Sequence, residues 1–257
     1  MRANKIKQMW AEGKTVNMGW LSIGHTFTAE LMARQGFDSL CVDLQHGTVE
    51  INHVLPMLQA IGQTDVSPVV RVRTNEAGEI MKVLDLGAMT VIVPLINTAE
   101  DAARAVAACR YPPVGNRSSG PIRALHYGGP DYQAKANDEV LVLGMIETKE
   151  GLENLEAICA TPGLDAVYIG PADLSLALGL PPQGDNPNPL HIATCNKILE
   201  TAHRHGKKAC MHCQSASFAA GAIERGFDLV MLGSDVACLL GSARRLVEDY
   251  KSAVATK

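Results

Sequence analysis

Short apolar runs recur along the whole chain, over residues 16–23, 39–43, 68–72, 89–94, 140–146, 166–169, 208–213 and 229–233. Most are continuous rather than alternating, the pattern of strands buried on both faces of a parallel sheet. Between them, apolar residues three and four apart predict amphipathic helices over 28–34, 50–61, 76–86, 98–109, 149–160, 192–205, 215–225 and 235–254. A faint repeat marks the joints: Gln35-Gly36-Phe37-Asp38, Pro162-Gly163-Leu164-Asp165 and Arg225-Gly226-Phe227-Asp228 each end a helix and open a strand, and Leu86-Gly87-Ala88 does so without the Asp. Glycine at such a joint takes the left-handed conformation of a helix C-cap without a Cβ clash. Eight strands in 257 residues give one unit per about 32 residues, the size of a βα repeat. The chain therefore reads as α/β, a single (β/α)8 TIM barrel over residues 1–257. An open doubly wound sheet is the competitor, but no G-x-G-x-x-G follows any strand. Two connections are irregular. Residues 111–138, rich in Gly, Pro and Ser, predict a mobile loop over a site, and residues 179–189 a proline-rich link to a C-terminal helix.

Composition narrows the function. Hydrophobic residues at 47% and charged residues at 19% allow a large core and exclude wholesale disorder. A formal charge of −4 and 4% aromatics argue against nucleic-acid binding, which needs a basic surface or stacking platforms. No apolar run approaches the roughly 18 residues that span a bilayer. Residues 1–14 hold no apolar stretch of the kind a signal peptide carries, so the expected compartment is the cytoplasm. Seven cysteines in apolar surroundings read as buried thiols rather than a disulfide framework. Cys210-Met211-His212-Cys213 matches C-x-x-C, but no second ligand pair follows it and it lies within a strand.

Barrel enzymes carry their chemistry at the C-terminal ends of the strands. That rule selects Asp43 and His46 after strand two, Arg71 on strand three, Glu147 after strand five, Gly170-Pro171-Ala172-Asp173 after strand six, His212 on strand seven, and Ser234 and Asp235 after strand eight. Glu147 and Asp173 offer two hard oxygen ligands to a divalent cation with open positions. Such a metal polarises a carbonyl and stabilises an enolate. Arg71 keeps its proton and can donate to the same oxygen. His46 titrates near neutrality and can move protons, with Asp43 or Asp85 as the carboxylate that would orient it. Free N–H groups opening a short helix over 174–178 can bind a carboxylate. Trp20 is either core or a pocket wall, and His25, His53, His126, His191, His203 and His205 read as surface residues. The set describes enolisation of a 2-keto acid.

The same residues carry a resemblance. Val42-Asp43-Leu44-Gln45-His46-Gly47, Pro68-Val69-Val70-Arg71, Leu86-Gly87-Ala88 with Val93-Pro94, Arg110-Tyr111-Pro112-Pro113-Val114-Gly115, Ile146-Glu147 and Ile169-Gly170-Pro171-Ala172-Asp173-Leu174-Ser175 occur in order between residues 19 and 240. The chain resembles the HpcH/HpaI aldolase family of metal-dependent (class II) pyruvate aldolases, which includes 4-hydroxy-2-oxoheptanedioate and 2-dehydro-3-deoxyglucarate aldolases. The resemblance implies reversible cleavage of a 4-hydroxy-2-oxo acid to pyruvate and an aldehyde. It makes Glu147 and Asp173 the ligands of Mg2+, Mn2+ or Co2+, and gives Ala172 and the Gly170 turn the pyruvate carboxylate. Arg71 becomes the oxyanion stabiliser, His46 the acid/base with Asp85 raising its basicity, and Trp20 a pocket aromatic. It also implies a homo-oligomer, commonly a hexamer, whose last helix packs on a neighbouring subunit.

Three positions depart from the family pattern: Met145 replaces a substrate-contacting Gln, Gln45 the commoner Glu, and His212 an often apolar residue. His212 points to a polar or acidic aldehyde. No lysine stands at a strand end to form a Schiff base. A CoA-thioester lyase of the malyl or citryl type would need basic residues for CoA, for which Arg117 and Arg123 are the loop candidates. A non-catalytic 2-keto-acid binder would have no use for His46 and Asp85.

Overall fold

The computed structural model describes residues 1–255. Its strands are β1 Val16–Leu21, β2 Ser39–Asp43, β3 Ser67–Arg71, β4 Thr90–Val93, β5 Leu141–Ile146, β6 Ala166–Ile169, β7 Lys208–His212 and β8 Leu229–Ser234. All pair in parallel in sequence order, and β8 closes on β1. The helices are α1 Lys5–Ala11, α2 Thr26–Ala33, α3 Ile51–Ile61, α4 Ala77–Asp85, α5 Ala99–Cys109, α6 Ile122–Gly128, α7 Tyr132–Glu139, α8 Lys149–Glu153, α9 Leu155–Cys159, α10 Pro171–Ala177, α11 Pro189–Arg204, α12 Ala216–Arg225 and α13 Asp235–Ala255. The expected (β/α)8 barrel is present.

Alternation along each strand divides the core in two. Outward residues such as Val42, Val70, Val142 and Val167 pack under the helices, and inward residues such as Met18, Cys41, Val69, Leu143 and Cys210 fill the barrel. Cys210 and Cys213 fall in different clusters, one inside the wall and one outside, so the C-x-x-C pair faces no common site.

The repeat has a structural use. Gly36, Gly87, Gly163 and Gly226 all take positive φ. Asp38, Asp165 and Asp228 each accept the backbone N–H of the second residue of the preceding strand, from Asn17, Val142 and Ala209. Each of these three Asp joints thereby pins the foot of one strand to its neighbour.

Three local features depart from expectation. The N-terminal residues form α1, whose Ile6 and Trp10 close the lower end of the barrel interior. Asn4 fixes that plug, accepting from Ile6 N and donating to Met89 O and Thr90 Oγ1. The helix expected over 149–160 is interrupted at Asn154, which leaves helical geometry and donates Nδ2 to Asn97 O at 2.9 Å. Residues 111–138 do not cover the mouth. They follow α5 and lead into β5, which places them at the N-terminal face, where α6 and most of α7 lie. It is residues 179–189 that border the mouth, between α10 and α11. Asp185 ties them to the start of α12 by accepting from Gln214 N and Ser215 Oγ.

Candidate active site

The inward rows change from apolar to polar as each strand reaches its C-terminal end: Cys41 gives way to Asp43, Val69 to Arg71, Cys210 to His212. These ends border a cavity of about 510 Å³ lined by Trp20, Ser22, His46, Arg71, Met145, Gly170, Pro171, Ala172, Asp173, Gly184, His212, Gln214, Met231, Gly233, Ser234 and Ala237.

Asp43 and Arg71 are directly paired across β2 and β3. The register turns both side chains into the barrel, where Nε and Nη2 of Arg71 donate to the two Asp43 oxygens at 2.8 and 2.7 Å. Trp20 Nε1 and the Gln45 N–H also donate to Asp43, and the Arg71 guanidinium lies 4.8 Å from the Trp20 ring. Burial would raise the Asp43 carboxyl, but the hydrogen bonds and charge of Arg71 override it and hold it below its ordinary value. Nη1 of Arg71 remains for a ligand. Asp43 is thus the anchor of Arg71 rather than the partner of the His46 ring, because its oxygens already receive five donors, the fifth being the backbone N–H of His46.

His46 sits in the turn after β2, exposed at the cavity rim, with its backbone N–H on Asp43 Oδ1. Asp85, the other expected partner, ends α4 at the opposite face of the barrel and accepts from Arg117 Nη2 at 2.8 Å. Within the chain neither carboxylate reaches the His46 ring. Arg117 is buried between Tyr111 and Tyr132, and Arg123 donates to Leu58 O and Leu86 O. Neither arginine lines the cavity, so the CoA reading loses its basic residues.

Glu147 lies behind the cavity wall, 3% exposed. Leu95, held at φ 55°, donates its N–H to Glu147 Oε1 at 2.9 Å. A Cβ at Gly170 would collide with Glu147 Oε2, so glycine there makes room for the carboxylate. Burial, opposed by the Leu95 N–H and reinforced by the nearby Asp173 charge, pushes Glu147 up to about 7. Asp173 is exposed on the first turn of α10. Ala172 N and Asp173 N precede the first helical bond of that turn, Leu174 N to Gly170 O, and are free for a ligand.

These two carboxylates fit a divalent cation. Two neighbouring acids, one raised by burial, gain from a shared positive charge. Among the described residues no group of three or more His, Cys, Asp or Glu could hold a metal; a cation held by these two carboxylates alone would keep positions open for other oxygen ligands.

His212 packs edge-on to Trp20 at 4.8 Å, and its Nδ1 lies 3.0 Å from the Tyr168 hydroxyl. Burial, then the Arg71 charge, lowers it to about 4. An uncharged ring offers hydrogen bonds rather than ion pairing, which removes the charge argument for an acidic aldehyde. Ser22, Gln214, Ser234 and Gly184 complete that side. Asp235 anchors the rim by accepting from Ser22 N and Ile23 N.

Sequence reasoning missed His191, which is fully buried rather than on the surface. Its signal was Cys195 and Ile198 on the same helical face, four and seven residues on.

Comparison with known proteins identifies the family. The family model described as HpcH/HpaI aldolase/citrate lyase matches residues 17–242. A hydroxypyruvate/pyruvate aldolase of Rhizorhabdus wittichii is 38% identical over 250 residues, covering 97% of this chain and 99% of that protein. A 5-keto-4-deoxy-D-glucarate aldolase of Salmonella paratyphi C is 36% identical over 251 residues, 96% and 97% of the two chains. A crystal structure of an HpcH/HpaI aldolase/citrate lyase family protein from Burkholderia cenocepacia superposes with a TM-score of 0.90 at 32% identity, over 96% of this chain and 99% of that one. With its barrel, its strand-end residues and a family match over nearly its whole length, the chain belongs to the HpcH/HpaI aldolase/citrate lyase family.

Proposed function

We propose that the protein is a carbon–carbon lyase, a class II aldolase that reversibly cleaves a 4-hydroxy-2-oxo acid to pyruvate and an aldehyde. The observation that carries this is the convergence of His46, Arg71, Ala172 and Asp173 on one cavity, with Glu147 seated behind Gly170. Glu147 and Asp173 would hold Mg2+, Mn2+ or Co2+, which when bound supplies Lewis acidity toward the keto oxygen and the enolate.

The chain's own residues account for the rest. The Ala172 N–H receives the keto-acid carboxylate. Arg71, fixed by Asp43, aims Nη1 at the oxygen that becomes anionic, and stays protonated throughout. In cleavage His46 takes the proton of the 4-hydroxyl, the C3–C4 bond breaks, and the aldehyde leaves. The proton then returns to C3 of the enolate, giving the pyruvate methyl group. Synthesis runs the same steps backward. Trp20 walls the pocket, and neutral His212 with Ser22, Gln214 and Ser234 suits an uncharged, hydroxylated aldehyde.

Asp85 has no role at the site within one chain. The apolar residues exposed on α13, among them Leu239, Leu246 and Tyr250, support a homo-oligomer in which that helix lies on a neighbouring copy, with a hexamer the size that the family resemblance implies. The six buried thiols suit the reducing cytoplasm.

The test is a screen of hydroxylated aldehydes with pyruvate, in synthesis and cleavage, together with deuterium exchange at the pyruvate methyl group. EDTA should abolish both activities and Mn2+ should restore them. A covalent adduct trapped by borohydride with pyruvate would overturn the metal mechanism, and so would turnover untouched by EDTA.

A further inference from the structure

Behind the turn after β6 lies a polar chain that takes no part in the mechanism above. His191, on α11, is wholly buried, and its Nε2 lies 3.2 Å from the Pro171 carbonyl. Its Nδ1 lies 3.6 Å from the thiol of Cys195, one helical turn further on. The chemistry of the two neighbours fixes the protons. A carbonyl only accepts, so Nε2 carries the hydrogen and Nδ1 is bare. Cys195, pushed up to about 12 by burial, stays a thiol and donates to Nδ1. Burial also lowers His191 below its ordinary value, in keeping with a neutral ring.

The Pro171 carbonyl is well placed to matter. It belongs to the residue next to Ala172 and two before Asp173, and it also accepts from Ser175 Oγ at 2.6 Å. Asn186 Nδ2 donates to that same hydroxyl at 2.9 Å, which joins the turn to the loop over 179–188 at the mouth. The donors within α10, the Ser175 hydroxyl and the helical N–H of the same residue, belong to the turn itself, and His191 supplies the one from outside it. The outside donor stands on a sixteen-residue helix that packs against β6 and β7. A buried Leu would fill the same space and leave the carbonyl without this bond.

We infer that His191 is a positioning residue: its Nε2–H holds the Pro171 carbonyl and thereby fixes the turn from which Ala172 and Asp173 reach the cavity. This rests on the assignment of Asp173 as a metal ligand. Groups that orient a ligand from behind commonly govern metal affinity by about 10- to 100-fold.

The experiment measures Mn2+ dissociation constants, from the EPR signal of the free ion, for the wild type and for D173N, H191L, H191N and H191Q. Thermal melting of the metal-free proteins checks the fold. A Gln amide nitrogen can occupy the place of Nε2, whereas the shorter Asn places its nitrogen near Nδ1, out of reach of Pro171. We expect H191L and H191N to bind Mn2+ about tenfold more weakly or worse, with a raised KM for pyruvate. At saturating Mn2+ the kcat should stay within about threefold of wild type, and H191Q should recover most of the affinity. If H191L does not fold, the contrast between H191N and H191Q decides. Wild-type affinity in H191L or H191N overturns the positioning role while leaving the metal site intact, and so does equal weakening in H191N and H191Q. Failure of the wild type to bind Mn2+, or unchanged binding in D173N, overturns the metal assignment and this inference with it.

Discussion

At the scale of single residues, the site is built on charge compensation inside the barrel. Arg71 is 8% and Asp43 2% exposed, so each depends on the other. Asp43→Asn leaves a buried guanidinium without its counter-charge. It should cost about 3–5 kcal/mol of unfolding free energy in urea, along with most of the activity. His212 is the converse case, a base kept neutral by burial and by Arg71, facing Tyr168 and Trp20 with Asp43 beyond. Its folded value of about 4 lies below the ordinary 6.5, so the unfolded chain binds the proton first as pH falls. Its contribution is therefore complete above about pH 6.5 and is lost toward pH 4. That loss amounts to about 3 kcal/mol, and H212Q should lack it when denaturation curves at pH 7 and 4.5 are compared. Asp43 and Arg71 were both legible in the sequence as strand-end residues, whereas their pairing depends on the β2–β3 register, which sets one guanidinium edge on Asp43 and leaves Nη1 for a ligand. The uncharged state of His212 was not legible, since it depends on which side chains from β1, β3 and β6 surround the ring.

At the scale of elements, the turn after β6 is the most tightly specified piece of the mouth. Gly170→Ala would push a methyl group into Glu147 Oε2. The carboxylate must then move off the Leu95 N–H, and Mn2+ affinity should fall about 10- to 100-fold with the far-UV spectrum unchanged, as calorimetric titration would record. Strand positions were readable within one or two residues because a parallel barrel buries both strand faces. Loop positions were less so. Residues 111–138 drew attention through Gly, Pro and Ser, yet any segment running from helix to strand in this fold lies at the N-terminal face. The order of elements, rather than loop composition, held that information. The α1 plug escaped notice because Ile6 and Trp10 are only two apolar anchors in a polar stretch.

At the scale of the whole molecule, α13 stands apart. Of its twenty-one residues only Asp235 is buried, and Leu239 and Leu246 are 62% and 70% exposed. A helix this apolar on one face is not stable as a solitary projection. In the proposed homo-oligomer, the double substitution L239E/L246E should give single chains in sedimentation velocity while the barrel keeps its circular dichroism. A variant that sediments like the wild type would remove α13 from the interface.

With α1 stoppering the floor of the barrel, reactants share a single doorway. With the proposed assignment of the site, the three-carbon acid would occupy the depth of the vestibule and the carbonyl partner its threshold, and departure would follow a fixed sequence, aldehyde ahead of pyruvate. During cleavage assays, added pyruvate should therefore compete with the substrate, whereas added aldehyde should give mixed inhibition.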